Sequence, residues 1–194
     1  EKFTDRLTTQ SRRDEESQGF QQFSTPPALA YLANWAANIR DGESYLEPSA
    51  GTGSLAAFGK MYNAELVLNE ISDRRAALLR QLFPDAKVFT EDAEQIDNIF
   101  PAEIQPTVIV MNPPFSAAGA RGGVHGKEVG VQHLTQALAR LADGGRLVAI
   151  LGHQQVSPEL WKNLQTDYNV RARIQISGAN YTKYGTNFDN QLVV

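Results

Sequence analysis

The sequence predicts an α/β domain built on a mostly parallel sheet of seven strands, with helices on both faces. Short apolar runs bounded by turn residues alternate with helical patterns along the chain, which is typical of βα units. The 194 residues are 42% hydrophobic and 21% charged, which suffices for one globular domain with a real core. Extensive disorder is therefore excluded.

The predicted elements follow one another in a regular order. A helix is expected first, over residues 27–39, because apolar residues at helical spacing follow a Ser-Thr-Pro start. The predicted strands span residues 44–47, 65–69, 87–89, 107–111, 146–151, 171–177 and 191–194. The helices between them are predicted at residues 54–63, 73–83, 131–142 and 158–168. We thus expect strand and helix to alternate throughout.

Composition excludes several classes of function. The chain has no cysteine, which rules out disulfides, thiolate nucleophiles and cysteine-type zinc sites. It contains no apolar run of membrane-spanning length, and its polar start does not resemble a signal peptide, so we expect a cytoplasmic protein that does not enter a membrane. The net charge of -4 offers no general attraction for nucleic acid. The chain starts without methionine and stops within an apolar run, so we expect a domain of a longer polypeptide.

The first predicted strand ends in a glycine-containing turn. An open parallel sheet binds its ligand at the carboxyl ends of its strands, so residues that follow strands are the candidates for binding. The stretch Glu47-Pro48-Ser49-Ala50-Gly51-Thr52-Gly53 follows the first strand and opens a helix. It also fits a loose dinucleotide fingerprint that runs from Gly51 through Gly53 to Ala56. A plain turn, a nicotinamide enzyme and another adenosine-binding protein all remain open here.

Acidic residues follow the next two strands. Glu70 comes about 20 residues after the glycines, where a carboxylate can accept hydrogen bonds from ribose hydroxyls. Asp92 follows the third strand and could accept from the exocyclic amine of an adenine, although an Asp at such a position is, by itself, more typical of a helix cap or a surface charge. Both positions suit a ligand that contains adenosine.

The fourth strand decides between these alternatives. It ends in Asn112-Pro113-Pro114-Phe115, and two consecutive prolines hold the chain in a stiff extended turn instead of continuing the strand. A dehydrogenase has no use for such a turn. Together with the glycine turn and Glu70, this motif resembles that of S-adenosylmethionine-dependent N6-adenine DNA methyltransferases, which have a Rossmann-like class I fold.

The resemblance covers residues 20–194 as one catalytic domain and leaves residues 1–19 as a polar extension. It also covers Phe23-Ser24-Thr25-Pro26, which matches a segment that contacts the methionine part of the cofactor in this family. The motif order resembles the γ arrangement, the modification subunits of type I and type IIG systems, and methylase domains of large phage and plasmid proteins. The cofactor-binding residues that the resemblance implies are Phe23, Thr25, Pro26, Glu47, Pro48, Ala50, Gly51, Gly53, Glu70, Asp92 and Asn112.

The resemblance also implies a mechanism. The side-chain oxygen of Asn112 and the carbonyl of Pro113 would accept hydrogen bonds from the target amine, with Pro114 stiffening the turn. Phe115 would stack on an adenine flipped out of DNA. Methyl transfer would then be direct, with no covalent enzyme intermediate and no strong general base.

The substrate and the partners are less constrained than the cofactor. DNA is the expected substrate, and further domains or subunits would supply target recognition. Methylation of RNA adenine or protein glutamine, or a non-catalytic binding module, are the alternatives, and Phe115 favours DNA because glutamine methylases usually carry Tyr there. The glycine-rich segment 116–130 either contacts phosphates through Arg121, His125 and Lys127 or is a solvated loop.

No metal site is expected from the sequence. Neither His125 nor His133 has a matching set of ligands nearby in the chain, and the chain has no cysteine. His153 follows the fifth strand, where it could line the pocket, although a capping or surface role fits as well.

Overall fold

The computed structural model describes residues 25–114, 129–153, 156–179 and 189–194. The strands are β1 (Ser44–Glu47), β2 (Glu65–Asn69), β3 (Lys87–Phe89), β4 (Val108–Met111), β5 (Arg146–Gly152), β6 (Arg173–Ile176) and β7 (Asn190–Val193). The α-helices are α1 (Pro27–Ala37), α2 (Ser54–Met61), α3 (Asp73–Leu82), α4 (Ile96–Ile99), α5 (Val129–Arg140) and α6 (Pro158–Asp167). All seven strand predictions and the five predicted helices are confirmed within a few residues.

The strands form a single sheet in the order β3-β2-β1-β4-β5-β7-β6. Every pair from β3 across to β5 is parallel, whereas β7 runs antiparallel between β5 and β6. The predicted sheet of seven mostly parallel strands is therefore confirmed. The expected alternation of parallel βα units fails at its last step, because an antiparallel strand needs no helical crossover to reach its neighbour.

Both faces of the sheet are buried, as the alternation of side chains along the strands requires. On β1, Tyr45 belongs to one hydrophobic cluster and Leu46 to the other. The first cluster includes Leu29 of α1 and Leu55 of α2, and the second includes Leu134 of α5. Helices therefore cover both faces, which confirms the predicted layers and explains why the central strand β4 is apolar throughout.

Helix α1 fixes the segment that leads into the site. Pro27 occupies its first turn, and the helix ends at Asn38, whose left-handed φ of 49° stops it. The buried Asn34 donates from Nδ2 to the carbonyls of Ala30 and Leu55, at 2.8 and 3.2 Å, and so ties α1 to α2. Thr25, just before α1, is held in a constant position relative to the sheet.

The short helices after β3 were not predicted. A 3-10 turn (Ala93–Gln95) leads directly into α4, and the two elements bury only Ala93 and Ile96. A segment this short carries too few apolar residues to show a helical period. None of the helices in the described parts of the chain is long and apolar enough to cross a membrane.

Candidate functional site

The candidate site lies where the strand order reverses, between β1 and β4. These two strands are parallel neighbours, with Leu46 opposite Ile109, so both end at the same edge of the sheet. The chain leaves β1 towards β2 on one side and leaves β4 towards β5 on the other. The glycine turn and the Asn-Pro-Pro turn therefore flank one crevice, which is where open α/β sheets bind ligands.

The two glycines of the turn have different tasks. Both have positive φ, 56° at Gly51 and 82° at Gly53, a region that favours glycine. A Cβ on Gly53 would lie 2.6 Å from the ring of Phe83, so this glycine lets α3 pack against the turn. At Gly51 the nearest atom would be Arg75 Nη1, at 4.0 Å, so its open side can face a ligand.

Two buried carboxyl groups flank the turn. Glu47, at the end of β1, accepts from the backbone N–H of Ala56 in the first turn of α2, at 2.9 Å. Glu70, after β2, accepts from the N–H groups of Gly51 and Ser72, at 2.8 and 3.0 Å. Burial raises the pKa of Glu47 well above its ordinary value, and the nearby Glu70 charge raises it further, against the hydrogen bond from Ala56. A positively charged ligand at this edge would oppose that rise, because an opposite charge favours the ionised carboxylate.

Asn69 is a site residue that the sequence analysis missed. Its Nδ2 donates to the carbonyls of Pro48 and Glu91, at 3.0 and 2.9 Å, and its Oδ1 accepts from the N–H of Glu91 at 2.9 Å. Its own carbonyl accepts from Ala50 at 2.8 Å. One buried side chain thus joins the glycine turn to the segment after β3. The presence of a polar residue at the end of a largely apolar strand could have indicated this role.

Asn112 is oriented by Thr25. Its Nδ2 donates to Thr25 Oγ1 at 2.9 Å, which joins the segment before α1 to the end of β4. Its Oδ1 is buried and has no hydrogen-bond partner among the described residues. A buried acceptor without a partner is costly, so such an atom points to a donor that arrives with a ligand.

The remaining predicted residues surround this centre. The carbonyl of Pro48 holds Asn69, and that of Pro26 accepts from Leu29 and Ala30 at the start of α1. Pro113 is buried and Pro114 is half-buried after β4. Phe23, Phe115 and the positions Arg121, His125 and Lys127 lie outside the described residues.

Asp92 adopts the capping role that was one of its two predicted alternatives. Its side chain accepts from the N–H of Glu94 at 2.9 Å and begins the 3-10 turn. This bond leaves the adenine-binding role of Asp92 as a prediction.

A histidine that seemed isolated in the sequence joins this region. His133, on α5, is buried, and its Nδ1 lies 2.9 Å from Ser49 Oγ in the glycine turn. Burial lowers the pKa of His133 to about 4, against the opposing effect of Asp92, so the imidazole is neutral at pH 7. Burial and the Asp92 charge raise the pKa of Glu94. His153, by contrast, is exposed and donates its backbone N–H to the carbonyl of Asp189.

Comparison with known proteins identifies the fold. No protein-family model and no curated protein matches the sequence. Among solved structures, TrmN from Thermus thermophilus has a TM-score of 0.67 at 19% identity, over 92% of this chain and 51% of its own. A type I restriction-modification methyltransferase subunit from Streptococcus thermophilus has a TM-score of 0.74 at 17% identity, over 89% and 44%.

A protein closer in length to this chain has the same architecture. A TehB-like SAM-dependent methyltransferase from Corynebacterium glutamicum has a TM-score of 0.57 at 16% identity, over 85% of this chain and 86% of its own. The fold is therefore the Rossmann-like fold of class I methyltransferases, as predicted. The chain spans about half the length of TrmN and of the type I subunit.

The two glycines should differ in their effect on stability. Gly51→Ala forces a side chain into the left-handed region and should cost about 1–2 kcal/mol of unfolding free energy. Gly53→Ala meets the same strain and also collides with Phe83, so it should cost about 1–3 kcal/mol more, as overpacked cores do. Urea unfolding of both variants measures the difference, and equal losses would contradict the separate tasks of these glycines.

Glu47 should make stability depend on pH. Because the folded protein holds the Glu47 proton more tightly than the unfolded chain, the free energy of unfolding should fall as pH rises above about 4.5 towards the folded pKa. Glu47→Gln keeps an acceptor for Ala56 and should remove this part of the dependence, so the variant gains on wild type as pH rises. Thermal unfolding from pH 5 to 8 measures this gain. The exposed Glu65→Gln is the matched control, and a constant difference for Glu47→Gln would refute the assignment.

Proposed function

We propose that this chain transfers a methyl group from S-adenosylmethionine to the exocyclic N6 amine of adenine in DNA. The observation that carries the proposal is Asn112, whose buried Oδ1 lacks a partner while Thr25 holds its Nδ2. This geometry leaves an acceptor for an incoming N–H at the edge where the motifs meet. The resemblance of Asn112-Pro113-Pro114-Phe115 to the adenine methyltransferase motif supports an aromatic amine as the donor of that N–H.

The charges at the site support this cofactor over a dinucleotide. S-adenosylmethionine carries a positive sulfonium and ammonium, which suit an edge lined by the carboxyl groups of Glu47 and Glu70. A dinucleotide would place its anionic pyrophosphate at the start of α2. There the Ala56 N–H already donates to Glu47, and a carboxyl group stands where the phosphate would bind.

The open side of Gly51 and the carboxylate of Glu70 are proposed to contact the rest of the cofactor. Glu70 already accepts two backbone N–H groups, and a carboxylate has further lone pairs that can receive ribose hydroxyls. Asp92 remains the proposed acceptor for the adenine amine of the cofactor. Phe23, Thr25 and Pro26 are proposed to contact its methionine part.

The protein's contribution to the reaction is to orient the target amine. An aromatic exocyclic amine is a poor nucleophile because its lone pair is delocalised into the ring. Hydrogen bonds to Asn112 Oδ1 and to the carbonyl of Pro113 would favour a pyramidal nitrogen whose lone pair is available. The cofactor supplies an electrophilic methyl group, and the amine proton becomes acidic once the nitrogen is alkylated. Positioning supplies much of the barrier reduction, so no strong base is needed.

Target recognition is proposed to come from elsewhere in a larger assembly. The chain spans about half of TrmN and of the type I restriction-modification subunit, so those proteins carry substantial additional chain. A net charge of -4 gives the domain itself no broad attraction for DNA. We therefore expect DNA specificity to require further domains or subunits, as in modification enzymes.

Asn112 should be needed for turnover far more than for cofactor binding. Asn112→Ala in the full-length protein should lower kcat about 10²- to 10³-fold, the usual effect of removing one hydrogen bond that stabilises a transition state. Mass spectrometry of N6-methyladenine in a DNA substrate that the wild type methylates measures this, and calorimetry with the demethylated cofactor should give a nearly unchanged Kd. Wild-type methylation by Asn112→Ala would refute the proposed role.

Thr25 provides the matched test of orientation. Thr25→Val should lower kcat about fivefold through the loss of one hydrogen bond of about 1 kcal/mol, and Thr25→Ser should retain most of the activity. Equal activity of the Val and Ser variants would contradict the role of this hydroxyl. Detection of the transferred methyl group in RNA or protein instead of DNA would show that DNA is not the substrate.

Glu70 should be needed for cofactor binding. Glu70→Gln should weaken binding of S-adenosylmethionine and its demethylated product about 10- to 100-fold, because hydrogen bonds to a charged acceptor are worth about 1.5–3 kcal/mol. Calorimetry measures both affinities, with the exposed Glu65→Gln at the start of β2 as control and circular dichroism to verify folding. Equal affinity of Glu70→Gln and wild type would contradict the assignment, and NADH binding in place of the methyl donor would restore the dehydrogenase alternative.

A further inference from the structure

A group of potential metal ligands lies beside the glycine turn. One ligand atom each from Asp92, Glu94 and His133 lie within 4.8 Å of one another. Carboxylate and imidazole ligands bind Zn²⁺ tetrahedrally at about 2.0–2.2 Å, so ligand atoms around one ion lie roughly 3.3–3.6 Å apart. Side-chain shifts of at most about 1 Å would bring all three atoms to such an ion.

The two carboxylates belong to one rigid local structure. Asp92 and Glu94 are only two residues apart, and the bond from Glu94 N–H to Asp92 Oδ1 fixes the turn between them. Neither side chain forms an ion pair within the described parts of the chain. Two like charges held close together without a cationic partner repel each other, and a bound cation would remove that repulsion.

His133 supplies a buried nitrogen ligand to this group. It is only 7% exposed, and its Nδ1 lies 2.9 Å from Ser49 Oγ. Histidines that bind metals usually pair their second nitrogen with such a partner, which fixes the ring orientation and the tautomer. A purely structural link between α5 and the glycine turn would need only the Ser49 contact. The two carboxylates near the same ring go beyond that need.

We propose that Asp92, Glu94 and His133 bind one divalent transition-metal ion. One imidazole nitrogen with two carboxylate oxygens suits Zn²⁺, Mn²⁺ or Co²⁺, whereas Mg²⁺ and Ca²⁺ prefer sets made only of oxygens. Three protein ligands leave coordination positions for water. No metal site was expected from the sequence because His133 lies 39 residues beyond Glu94 in the chain, and the fold brings them together.

The ion would also affect the proposed function. Asp92 is the proposed acceptor for the adenine amine of the cofactor, so the ion and the cofactor would compete for it. This part of the inference rests on the proposed function, whereas the metal site itself does not. A cation at Asp92 would therefore inhibit the domain and would not assist methyl transfer.

Titration of the purified protein with Co²⁺ tests the site directly. Wild type should bind one Co²⁺ with visible absorption bands typical of a site that contains nitrogen, and Mg²⁺ in tenfold excess should not displace it. Glu94→Gln and His133→Asn should each weaken binding at least tenfold. Ser49→Ala should weaken it about 10- to 100-fold, the usual effect of removing a residue that orients a ligand. The exposed Glu103→Gln should bind as wild type does.

Two results would overturn the metal site. One is equal Co²⁺ affinity in wild type, Glu94→Gln and His133→Asn, and the other is several weak, equivalent sites, which indicates adventitious binding only. Because His133 is buried, circular dichroism must show that His133→Asn folds. If it does not fold, Glu94→Gln still tests the site, because Glu94 is exposed.

Competition separates the two proposals. The demethylated cofactor should lower the apparent Co²⁺ affinity of wild type if Asp92 serves both ligands. Simultaneous binding of both would refute the sharing of Asp92 and leave the metal site standing. Failure of the cofactor to bind at all would refute the proposed function, while the Co²⁺ titration alone would still decide the metal site.

Discussion

The parallel pairing of β1 with β4 is the constraint on which the rest of the site depends. These strands are neighbours in the sheet although 60 residues of chain separate Glu47 from Val108. Because the chain leaves them in opposite directions, a crevice forms between their carboxyl ends. The glycine turn and the Asn-Pro-Pro turn thus meet at one edge of the sheet, and Thr25 reaches that edge from before α1.

Two buried carboxyl groups at one edge of the sheet are unusual in a small domain. Glu47 and Glu70 are both buried, at 2% and 4% exposure, and the Glu70 charge adds to the burial that raises the pKa of Glu47. Three backbone N–H groups offset part of that cost. Hydrophobic side chains of similar size would pack here without any such penalty. Two buried acids at this edge are compatible with the positively charged cofactor proposed above.

Much of this fold could be predicted from the sequence, because buried parallel strands are continuous apolar runs and their loops carry recognisable turn residues. The position of β7 could not, since pairing with β5 and β6 is decided by distant parts of the chain. The roles of Asn69 and His133 were hidden for the same reason. Each acts on segments about 20 to 80 residues away, and no local pattern reports such a contact. The hydrogen bond between Thr25 and Asn112 was not predicted, although the resemblance implied that both residues lie at the cofactor.

Asn69 has a consequence for how this domain could be altered. Its amide joins the carbonyl of Pro48 to both backbone groups of Glu91, so the loops after β1 and β3 share one anchor at the end of β2. A shift of either loop would therefore break at least one hydrogen bond to Asn69. In evolution or in a chimera, these two loops are therefore exchangeable only together with Asn69. The unit of exchange is then the set of strands β1, β2 and β3 with the loops that follow them.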